Sequence, residues 1–391
     1  MNIDDGVRRQ LESRTPAVSL LPNLRAIVAW TNDIPFISLF LTPRVHHLKL
    51  VIQPEQATIF SLALEVPLRS PNLRSLHLLS AVCDLSEEPQ VIHALVELLK
   101  TVQLEEFICD WFPLSQDMLN AVISMPELST VDICAEMSDL ARAMDIYPIQ
   151  EGRMRNFRLC TPLLIPSNLP HIIFSLCPSK LKALSIISHC GLCDATELTG
   201  LISTLVSTCS PEYLTDISID CDPTHVAVVI DFKMLKPLLQ FVHLRRISLP
   251  DYLFNLTDAE MKDMAMAWPN LEELSYWRYE YLSSEDLIDI VLKTSLRGLL
   301  WLATYCRKLY SLTFLFHASH GAMEDLTENE MALGQGHNLR SFDVRCSEIE
   351  CAEEVARFIK RVFPNLEQLG FSVGGPNAKE WEKVEELIQR L

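Results

Sequence analysis

The stretch Pro71-Asn72-Leu73-Arg74-Ser75-Leu76-His77-Leu78 decides how this chain folds. Its pattern is P-N-L-x-x-L-x-L, and the P-N-L-x-x-L part returns at residues 269–274 and 364–369, with an early copy that starts at Pro22. Weaker copies fill the intervals, so that about thirteen copies lie roughly 28 residues apart. A fixed apolar phrase at this period is typical of leucine-rich repeats.

The last two leucines of the phrase are two positions apart, which is the period of a strand with one buried face. A single strand cannot bury that face alone, whereas stacked copies share a continuous core. The intervals contain helix signals, such as the capping boxes of Thr257 with Glu260 and of Thr327 with Glu330. We therefore predict an α/β leucine-rich-repeat solenoid, or horseshoe. Its parallel β-sheet should form the concave face, and its helices and loops the convex face.

Three segments follow from the repeat. Residues 1–20 are expected to form an N-terminal capping segment, residues 21–375 a solenoid of about thirteen repeats, and residues 376–391 a C-terminal capping helix around Trp381. Residues 91–100 and 261–268 are predicted helices, and residues 317–336 are the predicted flexible loop. Because no stretch is rich in Gly, Ser or Pro, we expect no boundary between independent domains.

Composition restricts the partners and the compartment. The chain is 49% hydrophobic and 21% charged, which is typical of a folded protein, and its net charge is −18. An acidic chain repels phosphate groups, so we expect neither nucleic acid nor a membrane as a partner. Neither a long apolar run nor a signal peptide is visible. We predict a cytoplasmic or nuclear protein whose 12 cysteines stay reduced.

The string His189-Cys190-Gly191-Leu192-Cys193 is the sharpest chemical motif, since C-x-x-C can be half a zinc site or a redox pair. A structural zinc site needs four ligands, and the sequence has no second C-x-x-C, so we interpret these cysteines as small packing residues in a turn. His317 and His320 have helical spacing but lie in the predicted loop. We expect no catalytic residue, no cofactor and no metal, and hence not an enzyme. An enzyme or metal protein built on His189, Cys190 and Cys193 is the competing hypothesis.

Strand alternation places candidate binding residues on the concave face. If Leu76 and Leu78 point inward, His77 points outward. The corresponding middle row continues through Asp132, Arg158, Ser185, Ser218, Ser248, Ser275 and Asp343. An aromatic residue among charges is typical of a protein-binding patch. The predicted protein-binding residues are His77, Arg158, Asp216, Asp220, Arg246, Glu273, Trp277 and Tyr279. The competing interpretation is that small polar residues simply suit a curved, solvated sheet.

Three phrases carry a resemblance to a known family. They are Leu20-Leu21-Pro22-Asn23-Leu24-Arg25, Pro35-Phe36-Ile37-Ser38-Leu39-Phe40-Leu41-Thr42-Pro43 and Ser295-Leu296-Arg297-Gly298-Leu299-Leu300-Trp301-Leu302-Ala303-Thr304-Tyr305-Cys306. They resemble the leucine-rich-repeat region of basidiomycete F-box proteins, which are fungal. In that family an N-terminal F-box docks on the Skp1 adaptor of a cullin ubiquitin ligase, and the repeats present the substrate. This chain starts almost at its first repeat, with no Leu-Pro-x-Glu helix set before it, so no residue here is expected to dock the adaptor.

The resemblance implies an intracellular protein–protein interaction scaffold. We predict the substrate-recognition part of an F-box-type (SCF) ubiquitin ligase receptor. The alternative is a leucine-rich-repeat binding module or inhibitor that acts without a ligase. The expected partner is a protein substrate of unknown identity, and Skp1 is expected only if an F-box lies upstream of this chain.

Overall fold

The structure of the chain is a computed structural model. It describes residues 21, 23–30, 37, 39–52, 65–80, 89–147, 149, 153–162, 168–176, 178–188, 195–221, 228–249, 252–276, 292–319, 321, 323–324, 326–373, 375 and 377–390. The chain divides into two compact units. The first contains the residues up to 163 together with 171–178, and the second contains 164–170 and the residues from 179 onward.

In its described residues the first unit contains six parallel strands that pair in chain order. They are β1 (Ala26–Trp30), β2 (His47–Ile52), β3 (Ser75–Ser80), β4 (Glu106–Pro113), β5 (Thr130–Cys134) and β6 (Asn156–Thr161). One apolar residue of each strand faces the core in register with its neighbours. This inward row is Ile27, Leu48, Leu76, Phe107, Val131 and Phe157, and all six side chains are buried.

Helices return the chain from one strand of the first unit to the next. Those with described bounds include α1 (Pro89–Thr101), α2 (Gln116–Ile123) and α3 (Met137–Ile146), and α4 (Leu169–Ser175) lies where the sequence passes between the units. The predicted helix at residues 91–100 is confirmed within α1. Helix α2 begins after Ser115, whose side chain accepts a hydrogen bond from the Met118 amide and so satisfies one of the free N–H groups at the helix start.

The second unit repeats the plan, with eleven strands among the residues that are described there. They are β7 (Ala183–Ser188), β8 (Asp216–Cys221), β9 (Val228–Ile230), β10 (Arg246–Leu249), β11 (Tyr252–Phe254), β12 (Glu273–Tyr276), β13 (Ser311–Thr313), β14 (His317–Ala318), β15 (Ser341–Asp343), β16 (Glu348–Ile349) and β17 (Gln368–Gly370). Strands β7, β8, β10, β12, β13, β15 and β17 form the main parallel sheet. The remaining four form two short parallel pairs, β9 with β11 and β14 with β16.

The helices of the second unit are α5 (Ala195–Thr208), α6 (Phe232–Leu235), α7 (Asp258–Ala267), α8 (Leu296–Tyr305), α9 (Glu328–Gly334), α10 (Ala352–Val362) and α11 (Ala378–Arg390). The structure confirms both predicted capping boxes. Thr257 and Glu260 exchange side-chain and backbone hydrogen bonds at the start of α7, and Thr327 and Glu330 do the same at α9.

The prediction of a flexible loop at residues 317–336 is wrong. Strand β14 and helix α9 both lie in this segment. The Thr327 capping box starts the helix, and Met331 holds it because its side chain is buried in the core. One capped turn with a single buried anchor is enough where neighbouring repeats supply the packing.

The predicted fold class is confirmed. Each of the thirteen copies of the apolar phrase forms one strand of a parallel sheet, and helices alternate with these strands. The predicted C-terminal helix is present as α11, whose Trp381 donates from Nε1 to the Ser347 carbonyl at 2.9 Å. The N-terminal cap predicted for residues 1–20 lies outside the described residues. No helix in the described ranges is both long and apolar enough to cross a bilayer.

Candidate functional site

The candidate site is the open face of each sheet, which we define as the face opposite the buried leucines. In the second unit its middle row is Ser185, Ser218, Ser248, Ser275, Thr313, Asp343 and Gly370. The four serines occupy matching positions on consecutive strands of that sheet, and each is partly exposed. The predicted outward serine row is therefore confirmed.

Arg246 stands between two acidic residues on this face. Asp216, Arg246 and Glu273 occupy matching register positions on β8, β10 and β12. The Arg246 guanidinium donates to Asp216, and this hydrogen bond is the main reason why the pKa of Arg246 is raised. Thr215 also donates to Asp216, with 2.6 Å between Oγ1 and Oδ2. The face therefore presents a fixed positive charge with an acidic residue on either side.

Of the remaining predicted residues of the second unit, the structure describes Asp220 and separates it from this trio. Asp220 lies on β8 four residues beyond Asp216, in register with Ile187 of β7. At the rise of a strand, that spacing is about 13 Å. Trp277 and Tyr279 lie outside the described residues. Of the predicted cluster, only Asp216, Arg246 and Glu273 are shown side by side.

In the first unit His77 lies in a hydrogen-bonded cluster with Glu106. The Glu106 carboxylate accepts from Ser75 Oγ at 2.6 Å and lies 3.2 Å from His77 Nε2. Partial burial raises the pKa of Glu106, but the hydrogen bonds from Ser75 and His77 outweigh it, and the net effect is a lowered pKa. Glu106 is thus held as an anion beside His77.

Arg158 belongs to the same row as His77. It lies on β6, three strands along the sheet from His77 on β3. Its Nη1 donates to Asp132 Oδ2 at 3.1 Å, across the register pair of β5 and β6. Three strand spacings separate His77 from Arg158, which is about 14 Å. The two predicted residues therefore share the open face of the first unit without touching.

A further row of charges lies one residue before the strands, and the sequence analysis missed it. Arg74 pairs with Glu105 at 3.0 Å, and Arg245 Nε donates to Glu272 at 2.9 Å. The chain is fixed at these positions, because the Glu105 amide donates to the Arg74 carbonyl and the Glu272 amide to the Arg245 carbonyl. The position directly after Pro-Asn-Leu was the available signal for Arg74 and Glu272, while Glu105 and Arg245 follow weaker copies of the phrase.

The sequence analysis also missed the apolar residues at the start of the open face. Val28 and Trp30 on β1 are 70% and 50% exposed. They alternate with Ile27 and Ala29, which are buried in the core. The alternation of residues in Ala-Ile-Val-Ala-Trp was the available signal for these two outward side chains. The sequence-based prediction of the outward row started only at His77 and so left them out.

The His189, Cys190 and Cys193 motif lies outside the described residues, so the metal hypothesis is not tested at that position. Within the part of the chain that the structure does describe, no group of three or more His, Cys, Asp or Glu is arranged to hold a metal ion. The described features of the open face are charged pairs and exposed apolar side chains.

No family model matches the sequence, and no curated protein matches it. Among solved structures, the chain is similar to one from a crystal structure of the Rad7 and Elc1 complex in yeast. The two are 14% identical, the match covers 71% of this chain and 79% of the other, and the TM-score is 0.36. Similarity at this level carries no argument about fold or function. The fold assignment rests on the strands and their register.

Proposed function

We propose that this protein is a protein–protein interaction scaffold that binds its partner on the open face of its sheets. The observation that carries the proposal is the register of that face. Buried leucines fix each strand from one side, so the outward residues stand at set spacings on the other. A rigid surface with exposed apolar and charged side chains suits recognition of another protein.

The charges of the face support binding rather than chemistry. Arg246 with Asp216 and Arg158 with Asp132 are ion pairs at the surface, where a pair contributes little to stability. Such pairs suit recognition, because a partner can offer the same charges a second contact. We accordingly propose a binding protein and not an enzyme, located in the cytoplasm or the nucleus.

The finer proposal is the substrate-recognition part of an F-box-type (SCF) ubiquitin ligase receptor. The resemblance of residues 20–25, 35–43 and 295–306 to the repeats of basidiomycete F-box proteins supports it. The alternative is a binding module or inhibitor that acts without a ligase. Purification of the full-length gene product from its own cells separates the two: Skp1 recovered with it supports the ligase receptor, and recovery of other partners without Skp1 supports the alternative.

The coarser proposal is tested by charge reversal on the open face. Lys49→Glu, Arg158→Glu and Arg246→Glu change outward residues of β2, β6 and β10. Arg357→Glu makes the same kind of change on α10, where Arg357 is exposed and donates to the Glu353 carbonyl of its own helix. Circular dichroism checks that each variant is folded.

Quantitative affinity purification then compares the proteins that each variant retains. We expect at least one open-face variant to lose a bound protein that the wild type and the Arg357→Glu variant both retain. Retention of every partner by all three open-face variants contradicts the proposal. So does loss of the same partners from the Arg357→Glu control.

A further inference from the structure

We infer that the open face of the first three strands is a docking surface for a segment of a partner protein that carries acidic side chains next to apolar ones. We call this surface the N-terminal patch, and it consists of Val28, Trp30, Lys49, Val51, His77 and Leu79. The inference rests on the proposed function, and it specifies where on the open face the partner binds and what chemistry it offers.

Two rows in register build the patch. Val28, Lys49 and His77 form one row, and Trp30, Val51 and Leu79 form the next. Neighbouring strands are about 4.8 Å apart, so each row spans about 10 Å. A short extended or helical segment of a partner covers an area of this size.

The apolar side chains of the patch are held outward by the core. Ile27 and Ala29 of β1 are buried, so the strand cannot rotate Trp30 inward without exposing them. Val28 and Trp30 remain 70% and 50% exposed, and Val51 and Leu79 extend the apolar row. Burial of an exposed tryptophan on a rigid strand contributes favourable binding free energy and costs little conformational entropy. Tryptophan is therefore common at the centres of interfaces.

Lys49 sets the charge that the partner must carry. Lys49 lies in the row between Val28 and His77, its side chain is partly exposed, and it forms no ion pair with any residue that the structure describes. An apolar partner that covered the patch would remove water from the Lys49 ammonium, which is costly unless an acidic group replaces the water. The Glu106 carboxylate on the neighbouring strand already accepts from Ser75 and lies against His77.

Most charged side chains on the strands of the patch are basic, and the two acids at the start of the next strand are already engaged, Glu105 by Arg74 and Glu106 by His77. Within the described residues of 21–52 and 65–80, the basic side chains are Arg25, Arg44, Lys49, Arg69 and Arg74, and the one acidic residue is Glu65. Glu65 pairs with Arg69 at 3.3 Å. Although the chain has a net charge of −18, these described residues thus carry an excess of basic side chains. This charge attracts an acidic segment, and the apolar row favours a protein segment that also offers apolar side chains.

The test selects random peptides displayed on phage against the full chain, without assuming a partner. We expect the enriched peptides to place Asp or Glu next to Leu, Ile or Phe. A synthetic peptide from this set should bind Trp30→Ala and Lys49→Glu at least about tenfold more weakly than the wild type. The same peptide should bind Arg357→Glu with unchanged affinity, and its acid-to-lysine version should regain affinity for Lys49→Glu.

Three results overturn the inference. The first is that no peptide is enriched on the wild type, or that the enriched peptides bind Trp30→Ala and Lys49→Glu with the same affinity as the wild type. The second is a dimer of the free protein, measured by light scattering, that Lys49→Glu dissociates, because the occupant is then a second copy. The third is that peptides are enriched only on a variant in which Asp4 and Asp5 are changed to Asn. The N-terminal patch of the wild type is then occupied by the chain's own first residues.

The inference and the proposed function can fail separately. If affinity purification loses a partner with Arg246→Glu while Lys49→Glu and Trp30→Ala retain all partners, the scaffold function stands and the N-terminal patch does not. If no open-face variant loses a partner and no peptide is enriched, both fail.

Discussion

His337 shows how a single polar side chain is accommodated in the core. It is 1% exposed. Its Nε2 lies 2.8 Å from the Cys306 carbonyl, and its Nδ1 accepts from the Leu339 amide at 3.1 Å. These two partners fit the neutral imidazole with its proton on Nε2. Burial lowers the pKa of His337 below its ordinary value of 6.5, against the opposing effect of the Cys306 carbonyl.

This arrangement gives a pH prediction. Because the folded pKa is lowered, the unfolded chain takes up the proton first, and stability falls as the pH drops below 6.5. We expect His337→Phe to lower stability by about 2–4 kcal/mol at neutral pH, since the Cys306 carbonyl and the Leu339 amide lose their partner. Urea unfolding of both proteins at about pH 7.5 and about pH 5.5 checks this on either side of the ordinary histidine pKa.

The gap in stability between the wild type and His337→Phe should shrink at the lower pH, because only the wild type has this histidine to protonate on unfolding. An equal gap at both pH values would mean that His337 takes up its proton in the folded state as readily as in the unfolded one.

At the scale of elements, α7 and α8 are joined at their N-termini. The Asp258 carboxylate accepts from the Ser295 amide at 2.8 Å and from the Ser295 hydroxyl at 2.7 Å. The helices approach closely at Gly298. A Cβ placed there would lie 2.5 Å from Thr294 Cγ2 and 2.8 Å from Asp258 Oδ1. Only glycine fits this contact.

A matched pair of substitutions tests the close approach. Gly298→Ala should destabilise the protein by about 1–3 kcal/mol, because the methyl group forces the two helices apart. Gly200 lies inside α5, and a Cβ placed there would have no neighbouring atom within 4 Å, so Gly200→Ala should instead stabilise by about 0.5–1 kcal/mol. Thermal unfolding of the two variants measures whether each change in stability has the expected sign. A Gly200→Ala variant less stable than the wild type would mean that helix propensity does not control stability at that site.

Local sequence patterns predicted some elements better than others. The capping boxes at Thr257 and Thr327 were correct, because a cap depends on residues three positions apart. Helix α9 was nonetheless assigned to a loop, since Glu328–Gly334 has no apolar periodicity and depends on Met331 packing against other repeats. A seven-residue helix of this kind is specified by its neighbours more than by its own sequence.

At the scale of the whole molecule, the repeat determines what the sequence can predict of the surface. Strand alternation placed Asp216, Arg246 and Glu273 correctly, because each repeat sets the register of the next. It could not foresee which outward side chains would pair, such as Arg246 with Asp216, since pairing depends on rotamers. Trp277 and Tyr279 stay predictions.

Hydroxyl-radical footprinting of the protein, free and bound to the partner that affinity purification retains, tests the central claim most directly. The claim is that the leucines of the repeat face inward and leave the open face to bind another protein. We expect Trp30 and His77 to lose reactivity in the complex, and Leu76 and Leu78 to be unreactive in both states. The exposed Phe174 and Met266 on the helices should react equally in both states. Protection of Phe174 or Met266 with Trp30 and His77 unchanged would contradict the account.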